Sequence, residues 1–130
     1  MEMLRATALN LAGDNLLGSV RLLLADATRT PFHAGAFDSV VAVDFFHHAE
    51  STACILTEVD RLLKPGGRAI FSDFDEEGLT LIASIHTAER RAHPVLGAGR
   101  DTVHRAFHES GYGLEEESHM YHWSMIAYKP

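Results

Sequence analysis

Side chains able to do chemistry stand at the ends of three apolar stretches of the chain. Asp26, Asp44 and Asp73 each follow such a stretch, and His47 and His48 come shortly after the second aspartate. An ionised carboxylate only accepts hydrogen bonds, so it suits a ligand that donates them. Imidazole gains or loses a proton close to neutral pH. If the three stretches are neighbouring strands, these side chains lie along one edge of a sheet.

The apolar stretches have the composition of buried strands. Val20–Ala25 is almost wholly apolar, and Phe37–Val43 is rich in β-branched residues. Arg68–Ser72 is predicted as a third strand, after a turn at Pro65-Gly66-Gly67. Apolar residues at helical spacing predict four helices, namely 2–12, 51–64, 76–92 and one capped by Asp101 and closed by Gly111.

The tail of the chain has a different pattern. In the segment Trp123–Tyr128, residues predicted to be buried alternate with others, which predicts a strand, and an earlier strand starting near Leu114 precedes it. A turn near 118–122 joins the two. Alternating buried strands and amphipathic helices predict an α/β fold with a mostly parallel sheet, to which this hairpin adds an antiparallel edge. Ligands of such sheets bind at the carboxyl ends of the strands.

Composition excludes several classes of protein. The net charge of −7 without a basic cluster argues against a nucleic-acid partner. No apolar run approaches the roughly 20 residues of a membrane span, and the first residues do not resemble a secretory signal. A single cysteine, Cys54, allows no internal disulfide. These features favour one cytoplasmic domain over residues 1–130, with Cys54 as a small core residue.

Four segments together resemble the middle of a class I S-adenosylmethionine-dependent methyltransferase. They are Ala25–Phe32, Phe37–Val41, Phe46–His48 and Glu58–Gly67. The order and spacing are most similar to the small-molecule branch that includes the ubiquinone and menaquinone biosynthesis methyltransferases. The resemblance continues into the hairpin tail, and it implies a Rossmann-like methyltransferase fold.

The resemblance also implies roles for particular residues. Asp26 would accept a hydrogen bond from the adenine amine of S-adenosylmethionine, with the Ala27 backbone beside it. Asp44, Phe45 and Phe46 would line the cofactor site near its methionine part. Methyl transfer needs mainly alignment, and His47 and His48 are the candidate bases for a small-molecule acceptor that must lose a proton.

One part of the family pattern is missing. The family's domain opens with two strands and a Gly-x-Gly-x-Gly turn, whereas no Gly-x-Gly precedes Asp26 here. We therefore expect an N-terminally truncated domain that lacks the first two strands and the glycine-rich loop. Either the strands at 20–25 and 37–43 then pair directly, or a homodimer covers the missing strands.

Simpler interpretations remain open for these residues. Asp26 can be an ordinary turn former, and Asp73 and Asp75 can cap the following helix. His104 and His108 stand at the i,i+4 spacing of two metal ligands, and His86, Glu89 and His93 roughly share a helical face. Surface histidines are the better interpretation of both groups, so no metal site is predicted. The sequence thus favours a methyltransferase, incomplete in this chain. The alternative is a non-catalytic remnant of that fold that acts as a binding or dimerisation module.

Overall fold

The computed structural model describes residues 2–88, 95, 97 and 99–130. Its four strands form one sheet in the order β1-β2-β4-β3, in which β1 and β2 are parallel and the other two pairings are antiparallel. The strands are β1 (Phe37–Val43), β2 (Leu63–Phe74), β3 (Gly113–His119) and β4 (His122–Tyr128). The helices are α1 (Glu2–Gly13), α2 (Thr52–Leu62), α3 (Glu76–Ala88) and α4 (Arg100–Glu109), with 3-10 turns at Leu17–Ser19 and Phe46–His48.

The core lies between one face of the sheet and the helices α2 and α4. Helix α2 buries one apolar stripe, to which Ile55 and Val59 belong, because these residues recur at helical spacing. Helix α4 contributes Val103 and Phe107. Alternate residues of the two central strands meet them, and Phe71 is fully buried. The α/β prediction and all four predicted helices are confirmed, although residues 89–92 of the third lie outside the described residues.

The C-terminal hairpin is confirmed as well. Trp123, Met125 and Ala127 are buried in the core, and the residues between them lie on the opposite face, as the alternation predicted. The turn reverses at Tyr121, which has a positive φ of 68°. The main-chain oxygen of Tyr121 accepts a hydrogen bond from the Asp75 amide at 3.0 Å. The hairpin turn is therefore fixed to the start of α3, at the carboxyl end of β2.

The predicted strand at Val20–Ala25 is wrong, because the segment forms no strand and pairs with nothing in the sheet. Its side chains stand open, and Leu24 is 69% exposed. Direct pairing with β1 is wrong for the same reason. A parallel pair needs a crossover of about a dozen residues or more, and the shorter connection 26–36 is held against α2. With this segment outside, only one pairing of the sheet is parallel.

Three local predictions also require correction. Pro65-Gly66-Gly67 lies inside β2, where the register with β1 shifts and Gly66 has a φ of +73°, so this segment is a strand irregularity rather than a separate turn. Asp101 lies in the first turn of α4, after the N-cap residue Gly99. Cys54 is exposed, not part of the core.

The two edges of the sheet differ in their protection. Strand β3 carries Glu115, Glu116 and Glu117, all exposed, and charges of this kind discourage edge pairing. Within the part of the chain that the structure describes, strand β1 pairs only with β2, and its central residues Val40–Val43 include no charge. Among the described residues, no helix combines the length and the hydropathy that crossing a membrane would require.

Candidate functional site

An open groove runs along the unpaired edge of β1. Its volume is about 380 Å³, and its lining is mostly apolar. Ala27 and Phe45, which follow the first two predicted strands, both line it, so the structure brings these two predicted cofactor-binding residues together. The remaining lining residues are Thr30, Val40, Val41, Ala42, Val43, Ile55, Glu58, Val59 and Leu62.

Glu58 of α2 holds the loop that carries Asp26 and Ala27 to this groove. Its carboxylate accepts hydrogen bonds from the amide and the hydroxyl of Thr30, both at 2.7 Å. Arg61 donates to the same carboxylate at 2.7 and 2.6 Å. The pKa of Glu58 is lowered to about 2, mainly by the hydrogen bonds from Arg61 and then by those from Thr30. Burial of the carboxylate opposes this effect. The groove wall therefore contains an ionised carboxylate that is already satisfied by its own chain.

Asp26 is exposed beside this groove and forms a local turn. Its Oδ1 atom accepts hydrogen bonds from the Thr28 amide at 2.8 Å and the Thr28 hydroxyl at 2.7 Å. These bonds, first the one from the amide, lower the pKa of Asp26. The turn-former interpretation describes this geometry, and it leaves the second oxygen, Oδ2, directed to no partner among the described residues. An ionised acceptor thus remains available next to Ala27, which lines the groove.

Asp44 occupies a special backbone position at the carboxyl end of β1. Its φ is 50°, a left-handed conformation uncommon outside glycine but tolerated by aspartate. Its amide donates to the Ser72 carbonyl of β2 at 2.9 Å. Its Oδ1 atom lies 3.3 Å from Nε2 of His122 at the start of β4. The end of β1 is thereby joined to β2 and, through the His122 side chain, to β4, at the carboxyl end of the parallel strands, where ligands of such sheets bind.

His47 and Asp73 form a buried pair at the same edge. Nδ1 of His47 lies 2.5 Å from Oδ1 of Asp73, and the His47 amide donates to Oδ2 at 3.0 Å. Both residues are at most 4% exposed. Asp73 also accepts from the Phe74 amide at 2.8 Å, whereas Asp75 accepts from the Gly78 amide at 2.7 Å and caps α3. The capping interpretation is therefore correct for Asp75 and wrong for Asp73.

His48 stands next to this pair and is exposed. Its ring centroid lies 4.0 Å from that of His47. Partial burial of the His48 ring lowers the pKa of this side chain, and the charge of His47 lowers it further. Phe46 differs from both, because its side chain is fully buried and packs against Phe71 in the core at 5.0 Å between ring centroids. Phe46 is therefore a core residue, and the predicted cofactor contact of this residue stays a prediction.

We use the name edge cluster for Asp44, His47, His48, Asp73 and His122. The name refers to the carboxyl ends of the parallel strands and not to the unpaired edge of β1. Sequence reasoning named the first four but gave no role to His122 and no pairing to Asp73. His47 and Asp73 are 26 residues apart in the sequence, and Asp44 and His122 are much farther apart. Local spacing along the chain therefore gave no indication of either contact. The sheet register places His122 opposite Phe74 at the end of β2, and this position brings His122 to Asp44.

The remaining histidines of the described chain do not assemble a metal centre. No group of three His, Cys, Asp or Glu side chains there is arranged to hold a metal ion. His104 binds Glu116 at 2.8 Å through Nδ1, and its ring stacks on that of His108 at 5.7 Å. Glu89 and His93 lie outside the described residues.

The parallel pair of strands, the edge cluster and the open groove belong to one α/β domain. Comparison with known proteins identifies its family, since the methyltransferase domain model matches residues 1–71, more than half of the chain. The chain belongs to this methyltransferase family. Its fold is similar to that of the PH0226 protein of Pyrococcus horikoshii, with a TM-score of 0.78 and 19% identity over 99% of this chain and 70% of that one.

Two curated relatives show the extent of the similarity. The chain is 35% identical over 88 residues to the Escherichia coli protein YafE, a match that covers 68% of this chain and 39% of YafE. It is 29% identical over 103 residues to the O-methyltransferase rstn1 of Aspergillus nomiae, over 76% of this chain and 44% of the relative. The chain thus spans less than half the length of the curated relatives that it matches.

Proposed function

We propose that this chain takes part in S-adenosylmethionine-dependent methyl transfer to a small-molecule acceptor. The observation that carries the proposal is the convergence of Ala27 and Phe45 on one groove at the carboxyl side of β1. A structural neighbour from Aquifex aeolicus is described as a SAM-dependent methyltransferase, with a TM-score of 0.70. A relative from Ectopseudomonas mendocina, 30% identical over 85 residues, is a ubiquinone/menaquinone biosynthesis C-methyltransferase.

In this proposal Asp26 binds the adenine end of the cofactor. Its Oδ2 oxygen accepts a hydrogen bond from the exocyclic amine, which has only donors to offer. The two hydrogen bonds from Thr28 hold the carboxylate in one orientation and keep it ionised. Ala27 and Phe45 supply apolar contacts, and Asp44 lies next to Phe45 at the carboxyl end of β1.

The chemical step requires little from the protein beyond alignment. The acceptor's lone pair forms a bond to the methyl carbon while the carbon–sulfur bond breaks, and that electron pair neutralises the sulfonium to a thioether. A protic acceptor must also lose a proton. We assign this role to His48, because its lowered pKa favours the neutral imidazole near pH 7. Asp73 fixes the ring of the adjacent His47, which positions the pair.

Titration calorimetry with S-adenosylhomocysteine tests the cofactor assignment. We expect the unaltered chain to bind, and Asp26→Ala to weaken binding about tenfold, since one charge-assisted hydrogen bond of ~1.4 kcal/mol is lost. Asp14→Ala removes an equally exposed aspartate outside the groove and serves as the matched control. Absence of binding to the unaltered chain, or equal losses in both variants, would refute the assignment.

We also propose that a second copy of the chain covers the bare edge of β1. This is the dimerisation function that the unprotected edge favours. Two copies of β1 in antiparallel pairing would present the same surface to each other, as two-fold symmetry requires, and would satisfy main-chain groups that now lack a neighbouring strand. Val41 and Val43, 60% and 59% exposed, lie on this strand.

Sedimentation velocity over a range of protein concentrations tests the second copy. We expect a dimer that Val41→Lys dissociates, because lysine on an edge strand opposes pairing. Leu9→Lys changes a residue of similar exposure on α1 and should leave the dimer intact. A monomer at every concentration would exclude this arrangement, and the titration with Asp26→Ala would still decide the cofactor assignment.

A further inference from the structure

A second cavity, distinct from the open groove, lies beyond the hairpin. We call it the hairpin cleft, and define it by Phe74, Leu79, Arg100, Ser118, His122 and Trp123, which line it together with the first turns of α3 and α4. Its volume is about 470 Å³, within the range of small-molecule pockets of roughly 300–1,000 Å³. None of the roles assigned above uses it.

Trp123 gives this cleft a chemical preference. The side chain forms part of the wall and is only 2% exposed. Its indole Nε1 is buried and has no hydrogen-bond partner among the described residues. Indole nitrogen can only donate, and native proteins rarely leave a buried donor unsatisfied. Trp123 therefore brings an unpartnered donor to the wall of the cleft, and a ligand oxygen that reaches Nε1 would satisfy it.

Arg100 adds a second donor group at the cleft. Its side chain is 44% exposed, and its contacts to Asp101 and Ser118 are long, both at 3.4 Å. A guanidinium carries five donors in a planar fork that matches a carboxylate. The first turn of α4 follows Gly99, which offers no side-chain cap, and residues of this turn line the same cavity.

The surrounding charges limit the ligand to one negative charge. Asp75, Glu76 and Asp101 also border the cleft. Asp75 is engaged in capping α3, and Asp101, with its side chain 84% exposed, is directed mostly to solvent. A single carboxylate is compatible with one arginine among these acids, whereas a phosphate dianion would be repelled. Phe74 and Leu79 supply an apolar wall for the rest of the ligand.

The cleft adjoins the edge cluster through a shared wall. The rings of Phe74 and His122 lie 4.3 Å apart, and His122 in turn contacts Asp44. We infer that the hairpin cleft binds the methyl acceptor, and that this acceptor is a small carboxylic acid anchored by Arg100 and the indole N–H of Trp123. This inference deepens the proposed function and rests on it for the word acceptor, but the binding site itself is measurable without cofactor.

The test uses Trp123 as the reporter, because it is the only tryptophan of the chain. The probes are phenylacetate, its neutral amide phenylacetamide, and phenyl phosphate. In ¹H–¹⁵N spectra of the unaltered chain, we expect phenylacetate to shift the single indole N–H resonance saturably. The amide and the phosphate should bind at least about tenfold more weakly, a difference of ~1.4 kcal/mol.

Paired variants locate the anchor. Arg100→Gln should weaken phenylacetate binding about tenfold, whereas Arg105→Gln, on the same helix and exposed, should change it less than twofold. The absence of a saturable indole shift, equal losses in both variants, or equal binding of acid and amide would each overturn the inference. Since no arm contains S-adenosylhomocysteine, failure here is distinguishable from failure of the cofactor assignment.

Discussion

Replacing Glu58 by glutamine should make the stability of the protein less dependent on acid. Glu58 is 6% exposed and accepts hydrogen bonds from Thr30 and Arg61. Its pKa is about 2 in the folded chain, against 4.5 for the free side chain. Because the folded pKa is the lower one, ionised Glu58 stabilises the fold fully above pH 4.5. This contribution falls as the pH drops toward 2 and the carboxylate is protonated.

The magnitude follows from the size of that pKa difference. At ~1.36 kcal/mol per pH unit it corresponds to an upper value of about 3 kcal/mol. The guanidinium of Arg61 is 37% exposed, and solvent screening reduces the expected effect to about 1–2 kcal/mol. Glutamine keeps one oxygen acceptor for Thr30, so the variant loses mainly the charged contact to Arg61 rather than the packing.

Urea unfolding followed by circular dichroism at pH 7, 4.5, 3 and 2 provides the assay. We expect Glu58→Gln to be less stable at pH 7, and the difference to disappear by pH 2. Glu50→Gln, at an exposed glutamate, is the control and should follow the unaltered chain. A gap between Glu58→Gln and the unaltered chain that stays constant from pH 7 to 2 would refute the linkage. Weaker binding of S-adenosylhomocysteine by Glu58→Gln is also expected, because Glu58 holds the loop that presents Asp26.

Three further substitutions test contacts that position the site. Asp73→Asn should cost about 2–3 kcal/mol of folding free energy, because a buried charged acceptor of two His47 hydrogen bonds is lost. Gly78→Ala should cost about 1–2 kcal/mol by urea unfolding even after the gain in helix propensity, since a β-carbon would lie 2.2 Å from a main-chain oxygen of the hairpin turn. Tyr112→Phe should cost about 1–2 kcal/mol, because the buried hydroxyl donates to Asp60 at 2.6 Å.

Each of these substitutions has a matched control in the same chain. Asp101→Asn changes an exposed aspartate, and Tyr128→Phe removes a hydroxyl with only a 3.2 Å contact to an exposed glutamate. Gly13→Ala adds a β-carbon with no atom within 4 Å. A control as destabilising as its partner substitution would contradict the role given to that contact.

The sequence predicted well those elements whose pattern is local. The stripe of α2, the β-branched run of β1 and the alternation at Trp123–Tyr128 each determine their own structure once one face is buried. Val20–Ala25 has an equally apolar pattern, yet it is not a strand, because a strand exists only through hydrogen bonds to a neighbour. Composition reports that a segment is suited to a sheet and carries no information on whether a partner strand is present.

The same distinction explains the result at the site. Asp26, Asp44 and the paired histidines were recognisable because they follow apolar runs directly along the chain. The pairing of His47 with Asp73, and of Asp44 with His122, depends on the order of the strands, which local pattern does not determine. The sequence also gave no indication that the indole N–H of Trp123 lacks a partner among the described residues, since the alternation predicted only that this side chain is buried.

The bare edge, the open groove and the exposed leucines have one physical cause. Val40–Val43 lack a neighbour on one side, the groove beside them is empty space of about 380 Å³, and Leu24 stands 69% exposed. Each of these features would be relieved by strands lying against the free edge of β1. Because Ala27 and Phe45 line that same groove, whatever covers the edge would also border the proposed cofactor site. Stability and cofactor binding should therefore increase together when the edge is covered.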